Sequence, residues 1–167
     1  MTKVSVMCIA VMLVTISAHA QEKTRNLDTN LLANLNSIEN HVNNVMDMEG
    51  SRINFSRWDA PVGFIDAAKA AYDAQKVSAK AVHSAISEIK SHASASSIQL
   101  FFLYVNFRNL REAVDEFAKD AHEEQRDSSL ATDLINLNTK LIAEESKLHD
   151  FVQNSILLDA SKLADCR

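Results

Sequence analysis

Glycine and proline are nearly missing from this chain, two and one in 167 residues, against a usual ~7% and ~5%. Turns with positive φ lean on glycine or asparagine, so an all-β sandwich, a barrel or a glycine-rich nucleotide cradle is not expected. The same shortage excludes collagen-like and proline-rich disordered classes. Clustered basic charge is also lacking. Seventeen Lys and Arg face 22 Asp and Glu, a formal net charge of −5, and no stripe of Lys or Arg is laid out to follow a phosphate backbone or an anionic membrane. No nucleic acid is therefore expected among the partners.

Long apolar runs are limited to one, Val4 to Ile16, preceded by Lys3 and followed by Ala18-His19-Ala20. A positive start, a short apolar stretch and a small-x-small site make a secretory signal peptide over residues 1–20. The run is short of the ~20 residues a bilayer span needs, so no stable membrane span is expected after processing. Cleavage leaves residues 21–167 as a single domain in a secreted or periplasmic compartment, long enough to bury one self-sufficient core. Losing Lys3 leaves 16 basic against 22 acidic residues, a net of −6.

Cysteine is scarce as well. Cys8 leaves with the signal peptide, and Cys166 alone cannot build a disulfide framework within one chain. In an oxidising compartment it is a candidate for an intermolecular disulfide and so for a homodimer. An incidental free thiol is the plainer alternative.

What the chain has in quantity is apolar residues, 47% of the total, at helical spacing. Four stretches alternate steps of three and four residues. The first carries Leu31, Leu35, Ile38, Val42 and Val45, with Asp28 or Thr29 as its cap and Gly50 at its end. The second opens at Asp59-Ala60-Pro61, a capping residue followed by a proline tolerated in a first turn, and runs from Ile65 to Ala93, with Gln75 as the polar exception, expected at an exposed edge. The third starts near Ser96 or Ser97 and carries Leu100, Leu103, Phe107, Leu110, Val114 and Phe117. Ile98, Phe101, Phe102, Tyr104 and Val105 make its first two turns apolar almost all round, which predicts burial on several sides there. The fourth, capped by Asp127, Ser128 or Ser129, carries Leu130, Leu134, Leu137, Leu141, Leu148 and Val152, interrupted by Glu144 or Glu145. Short polar connections at His92 to Ser97 and His122 to Asp127 predict antiparallel neighbours. The expected fold class is all-α, an up-down-up-down four-helix bundle with coiled-coil-like stripes. A helical hairpin that dimerises into a bundle is the alternative.

Bundles of this kind can hold metals or haem. Covalent haem attachment needs Cys-x-x-Cys-His, and a di-iron carboxylate site needs Glu-x-x-His on two helices; neither occurs. His149 falls in the seven-residue series Ile135, Ile142, His149, Ile156, at the edge of the apolar face, where a half-buried packing role outweighs a ligand role. The alternative function is an exported bundle that binds an apolar or haem-like ligand in its core, using the aromatic third helix and His149, with Met46 or Met48 as a candidate axial thioether opposite a helix-four histidine. Motifs for serine hydrolases, zinc proteases and P-loops are missing. No metal, cofactor or catalysis is expected. An exported, non-catalytic bundle acting through protein or envelope contacts is the primary expectation, with an unidentified protein partner.

The irregular segment Gly50 to Asp59 contains the only tryptophan and the residue types enriched in binding hot spots, Arg52, Phe55, Arg57 and Trp58. These four are candidate binding residues. The competing reading is a plug, in which Phe55 and Trp58 close one end of the bundle. Asn54-Phe55-Ser56 also matches a glycosylation acceptor, relevant only in a eukaryotic host.

Overall fold

The computed structural model describes residues 25–48, 53, 55–124 and 128–164. The signal-peptide segment, Gly50, Arg52, Asn54, Asp127 and Cys166 lie outside them. Four helices account for nearly all of what is described: α1 (Thr29–Met46), α2 (Val62–His92), α3 (Ser97–Glu124) and α4 (Ser128–Ala164). A 3-10 turn, Phe55–Arg57, stands between α1 and α2. Two short extended pairs, β1 (Arg25–Asn26) and β2 (Ser94–Ala95), run antiparallel with Arg25 opposite Ala95. The described residues are all-α apart from that ladder.

The helix starts follow local chemistry. Asp28 caps α1, its carboxylate accepting the Leu31 N–H at 2.7 Å. At α3, the Ser96 hydroxyl accepts the Gln99 N–H at 3.1 Å while the Gln99 side chain accepts the Ser96 N–H at 3.0 Å. That reciprocal pair is a capping box. The start of α2 differs from the expected aspartate cap: Pro61 occupies the cap position, and its carbonyl accepts from Phe64 and Ile65. Proline supplies a fixed φ near the helical value and has no N–H to leave unpaired, so the turn closes without a side-chain cap.

Glycine scarcity leaves a mark at the other end of α2. Its C-cap, Ala93, is left-handed with φ 50°, a conformation that costs a non-glycine residue roughly 1–2 kcal/mol. The ladder with β1 follows at once, and Leu27 N–H donates to the Ala93 carbonyl at 3.2 Å. These backbone bonds hold the strained turn in place.

Each helix packs on its chain neighbours, and α1 also packs on α4. Lys90 of α2 pairs with Glu39 of α1 at 2.6 Å. Tyr72 of α2 meets Phe117 of α3 with ring centroids 5.5 Å apart. Ser97 at the start of α3 bonds Ser155 near the end of α4 at 2.7 Å, and Arg111 pairs with Glu145. Asn34 and Ser37 of α1 both donate to Glu144 of α4. One apolar cluster draws on all four helices and on Ile53 and Trp58 between them.

Two expectations about burial are corrected. Gln75 is fully buried, not at an edge. Its series Ala68, Gln75, Ala79, Val82 faces inward along its whole length, and both polar atoms of its amide lack a hydrogen-bond partner. The first turns of α3 depart in the opposite sense: Ile98, Phe101 and Phe102 are exposed, Phe102 by 60%. Leu100, Leu103 and Phe107 turn into the cluster there and Tyr104 packs partly buried against it, because the core contacts of α3 occupy one side of the helix and nothing among the described residues covers its outer side.

Candidate functional site

The segment between α1 and α2 places its aromatic candidates indoors. Trp58 is only 6% exposed and stacks on Phe117, centroids 6.4 Å apart with planes 12° from parallel. Phe55, half-buried, lies 5.0 Å from Trp58 and 6.2 Å from Phe117. With Phe64 and Tyr72 they form one aromatic group over the end of the helices. Arg57 ends the 3-10 turn, and Arg52 falls outside the described residues. A contact surface needs accessible rings, and here the indole is spent on packing. Phe55 and Trp58 both pack on Phe117, which lies 59 positions beyond Trp58.

Lys76 fastens the same end. Its ammonium donates to the carbonyls of Val45, Met46 and Met48 at 2.8, 2.7 and 2.6 Å, the orphan acceptors that every helix C-terminus leaves. The helix has no basic residue of its own in its last turn, so α2 supplies the cation. Burial lowers the Lys76 pKa, opposed by the charge of Asp47. Tyr72 adds a 3.2 Å bond from its hydroxyl to the Met48 carbonyl.

A second polar centre joins α1 and α4 around Glu144. Its carboxylate accepts from Asn34 at 2.6 Å, Ser37 at 2.9 Å and Lys147 at 3.0 Å. Burial, the largest influence, would raise its pKa. The bonds from Lys147, Ser37 and Asn34, with the Lys147 charge, prevail and hold the carboxyl below the usual carboxylate range. A cleft of about 390 Å³ beside it is lined by Asn30, Asn34, Ser37, Glu144, Lys147 and Asp150, among others. The Asn34 amide nitrogen, the Ser37 hydroxyl and the Lys147 ammonium all donate to Glu144, and the first two of these bonds tie α1 to α4. Among the described residues no group of three His, Cys, Asp or Glu is placed to hold a metal ion.

His149 stands on the outer edge of α4, half exposed, its ring 5.5 Å from Tyr104 and its Nε2 3.3 Å from the Gln153 amide. Its neighbour Asp150 lines the cleft together with Asn30, which fixes its level near the start of α1. Met46 sits at the other end of that helix, about 24 Å away. The two cannot share an axial ligand pair.

The most unusual surface is a face of α4. Ile135, Ile142, His149 and Ile156 form its seven-residue series, and the three isoleucines are 47% to 51% exposed. Between and flanking them, at spacings of three and four, come Thr132, Thr139, Ser146, Gln153 and Ala160, all exposed. The combined stripe runs the length of the helix without one Lys, Arg, Asp or Glu. Beside it, α3 carries Arg108, Glu112, Asp115 and Lys119, knitted into ion pairs, with Asp115 and Lys119 lining one cleft with Ile135 and Thr139. The bond between Ser97 and Ser155 puts the start of α3 and the end of α4 at one end of the molecule, where Ile98, Phe101 and Phe102 of α3 and Ile156 and Leu157 of α4 are all exposed. Depletion of charge at the centre of a surface marks contact regions better than hydrophobicity does. The signal was available as a gap in the charge pattern, but periodicity alone could not say which apolar stripe of α4 was already covered.

No protein family, curated protein or solved structure matches this chain. Its residues must therefore carry any functional conclusion.

Proposed function

We propose that this is an exported, non-catalytic protein whose mature part is an up-down-up-down four-helix bundle, and that it acts through contact on the uncharged face of α4. The observation that carries this reading is an exposed stripe with helix-packing spacing and no charge, ending where Phe101 and Phe102 of α3 are also exposed. Patches of several hundred Å² on a soluble monomer are commonly functional. The pairwise helix contacts support the bundle order, since rising numbers on one helix meet falling numbers on the next. Export rests on Lys3, Val4 to Ile16 and Ala18-His19-Ala20. No helix among the described residues is long and apolar enough to cross a membrane. In this reading the segment around Trp58 closes one end of the bundle, and the α4 face makes the contacts.

Two measurements test it. N-terminal sequencing of the protein from the native exported fraction is expected to begin at Gln21; a start at Met1 or Thr2 refutes processing. Affinity purification from that fraction is expected to recover partners with the wild type and to lose them with Ile142→Lys. Equal recovery by both proteins refutes the assignment of the face.

A further inference from the structure

The occupant of the α4 face can be specified further, on the basis of the contact reading above. We propose that the face binds a second copy of this chain, α4 against α4, parallel and in register about a two-fold axis running along the seam.

Charge is the first reason. The chain is acidic overall, so two copies repel, and they approach at least cost through a face that carries no charge. The seam Thr132 to Ala160 is the series of α4 without Lys, Arg, Asp or Glu, bordered near Ile135 and Thr139 by Asp115, Lys119 and His122 of α3. A partner selected by charge would find nothing on the stripe to read, whereas a copy brings the same alternation of isoleucine and small polar residues.

Area is the second. Ile98, Phe101, Phe102, Ile156 and Leu157 are each about half exposed. Together they offer on the order of 500 Å² of apolar surface, the size of the largest patch on a typical monomer. Adding the stripe from Ile135 to His149 approaches the ~800 Å² per partner of a standard interface.

Direction follows from where the apolar surface lies. It is concentrated at the C-terminal end of α4, while the other end presents Thr132, Thr139 and the Lys119 side of α3. An antiparallel pair would set apolar ends against polar ones. A parallel pair buries apolar against apolar, with Ile135, Ile142 and Ile156 each meeting its own counterpart, and so removes more apolar area from water.

This arrangement also accounts for Cys166, two residues beyond Ala164. Packed helices have axes ~8–10 Å apart, and two residues of chain reach ~7 Å, so the two Cys166 thiols can meet. In an antiparallel pair centred on Ser146 the two helix ends would stand ~50 Å apart.

Sedimentation of the purified protein is the test, repeated with Ile142→Lys and Ile156→Lys. The wild type is expected at twice the chain mass and each variant at half that value, with unchanged helical circular dichroism because both side chains are already half exposed. Oxidised glutathione then reports direction. Two Cys166 thiols give up two protons and two electrons to form one S–S bond, and the glutathione disulfide takes them up as two thiols. A band of doubled mass on a non-reducing gel is expected for the wild type and lost in Cys166→Ser and Ile156→Lys. A monomeric wild type, or a dimer that survives both lysine variants, overturns the proposal. A dimer that does not cross-link through Cys166 overturns its parallel register. If the wild type is monomeric yet Ile142→Lys still loses partners in affinity purification, the self-association fails while the contact reading stands. If neither association depends on the face, both fail.

Discussion

Replacing Gln75 with methionine should make the protein more stable. The side chain is fully buried in the inward-facing series of α2, and neither its amide nitrogen nor its amide oxygen has a hydrogen-bond partner. Water satisfied both groups in the unfolded chain, and folding removes that solvation without replacing it. The cost of leaving a buried polar group unpaired is about 1–3 kcal/mol. Methionine has nearly the same length and volume and fills irregular core space, so the substitution relieves the penalty without opening a cavity. The expected gain is about 1–3 kcal/mol. For a chain of this size, each kcal/mol moves Tm by roughly 2–4 °C, giving a rise of about 2–12 °C. Urea denaturation followed by circular dichroism at 222 nm is the assay, and the midpoint should rise with an unchanged slope. Gln75→Ala separates the two contributions, since it also removes the polar groups but leaves a void whose cost offsets the gain. A methionine variant with an unchanged or lowered midpoint would refute the reasoning, because it would mean that the amide is satisfied in the native protein. A gain in stability accompanied by a change in the sedimenting mass would instead mark Gln75 as a residue that specifies register and association at the expense of stability.

Three further outcomes are expected. Ala93→Gly should stabilise the protein by roughly 0.5–1 kcal/mol, since glycine adopts the left-handed C-cap without the Cβ penalty; a lower denaturation midpoint would contradict this. Trp58→Ala should cost about 3–5 kcal/mol through loss of the stack on Phe117 while leaving association through the α4 face intact in the surviving folded fraction. Acid should destabilise the protein in a defined direction. The Glu144 carboxyl has a folded-state pKa below its unfolded value, so its contribution is complete above about pH 4.3 and is lost as pH falls through the folded value. His41, lowered chiefly by burial and also by the charges of Lys140 and Lys147 against the opposing pull of Glu144, adds a loss of the same sign below about pH 6.5. Denaturation midpoints measured from pH 7 to pH 3 should therefore fall, and Glu144→Gln should flatten the most acidic part of that decline. A parallel decline in wild type and variant would show that Glu144 is not a source of it.

Much of the helical architecture was legible in residue spacing. The inward stripe of α1, from Leu31 to Val45, and those of α3 and α4, from Leu100 to Phe117 and from Leu130 to Val152, are buried as their period of three and four demands. Local caps were legible too, because Asp28 and Ser96 act on N–H groups three residues away. The failures were of a different kind. Gln75 and Glu144 both interrupt apolar stripes, and polarity argues for exposure in each case. Glu144 found Asn34, Ser37 and Lys147, while Gln75 found no partner and is buried all the same. Ile98, Phe101 and Phe102 are apolar enough for a core, yet remain outside because α3 has only one covered side.

The shortage of glycine and proline, the helical periods and the charge-free series on α4 are properties of the sequence alone, since each concerns residues within a few turns of one another. Which of two apolar stripes on a helix becomes core, whether Trp58 is buried, and whether a buried polar side chain meets a partner depend on other helices. Those outcomes were decided by contacts between residues tens of positions apart, as in Trp58 with Phe117 and Asn34 with Glu144. Local chemistry acts along one element, but burial is set by what packs across from it, and that information exists only once the chain has folded.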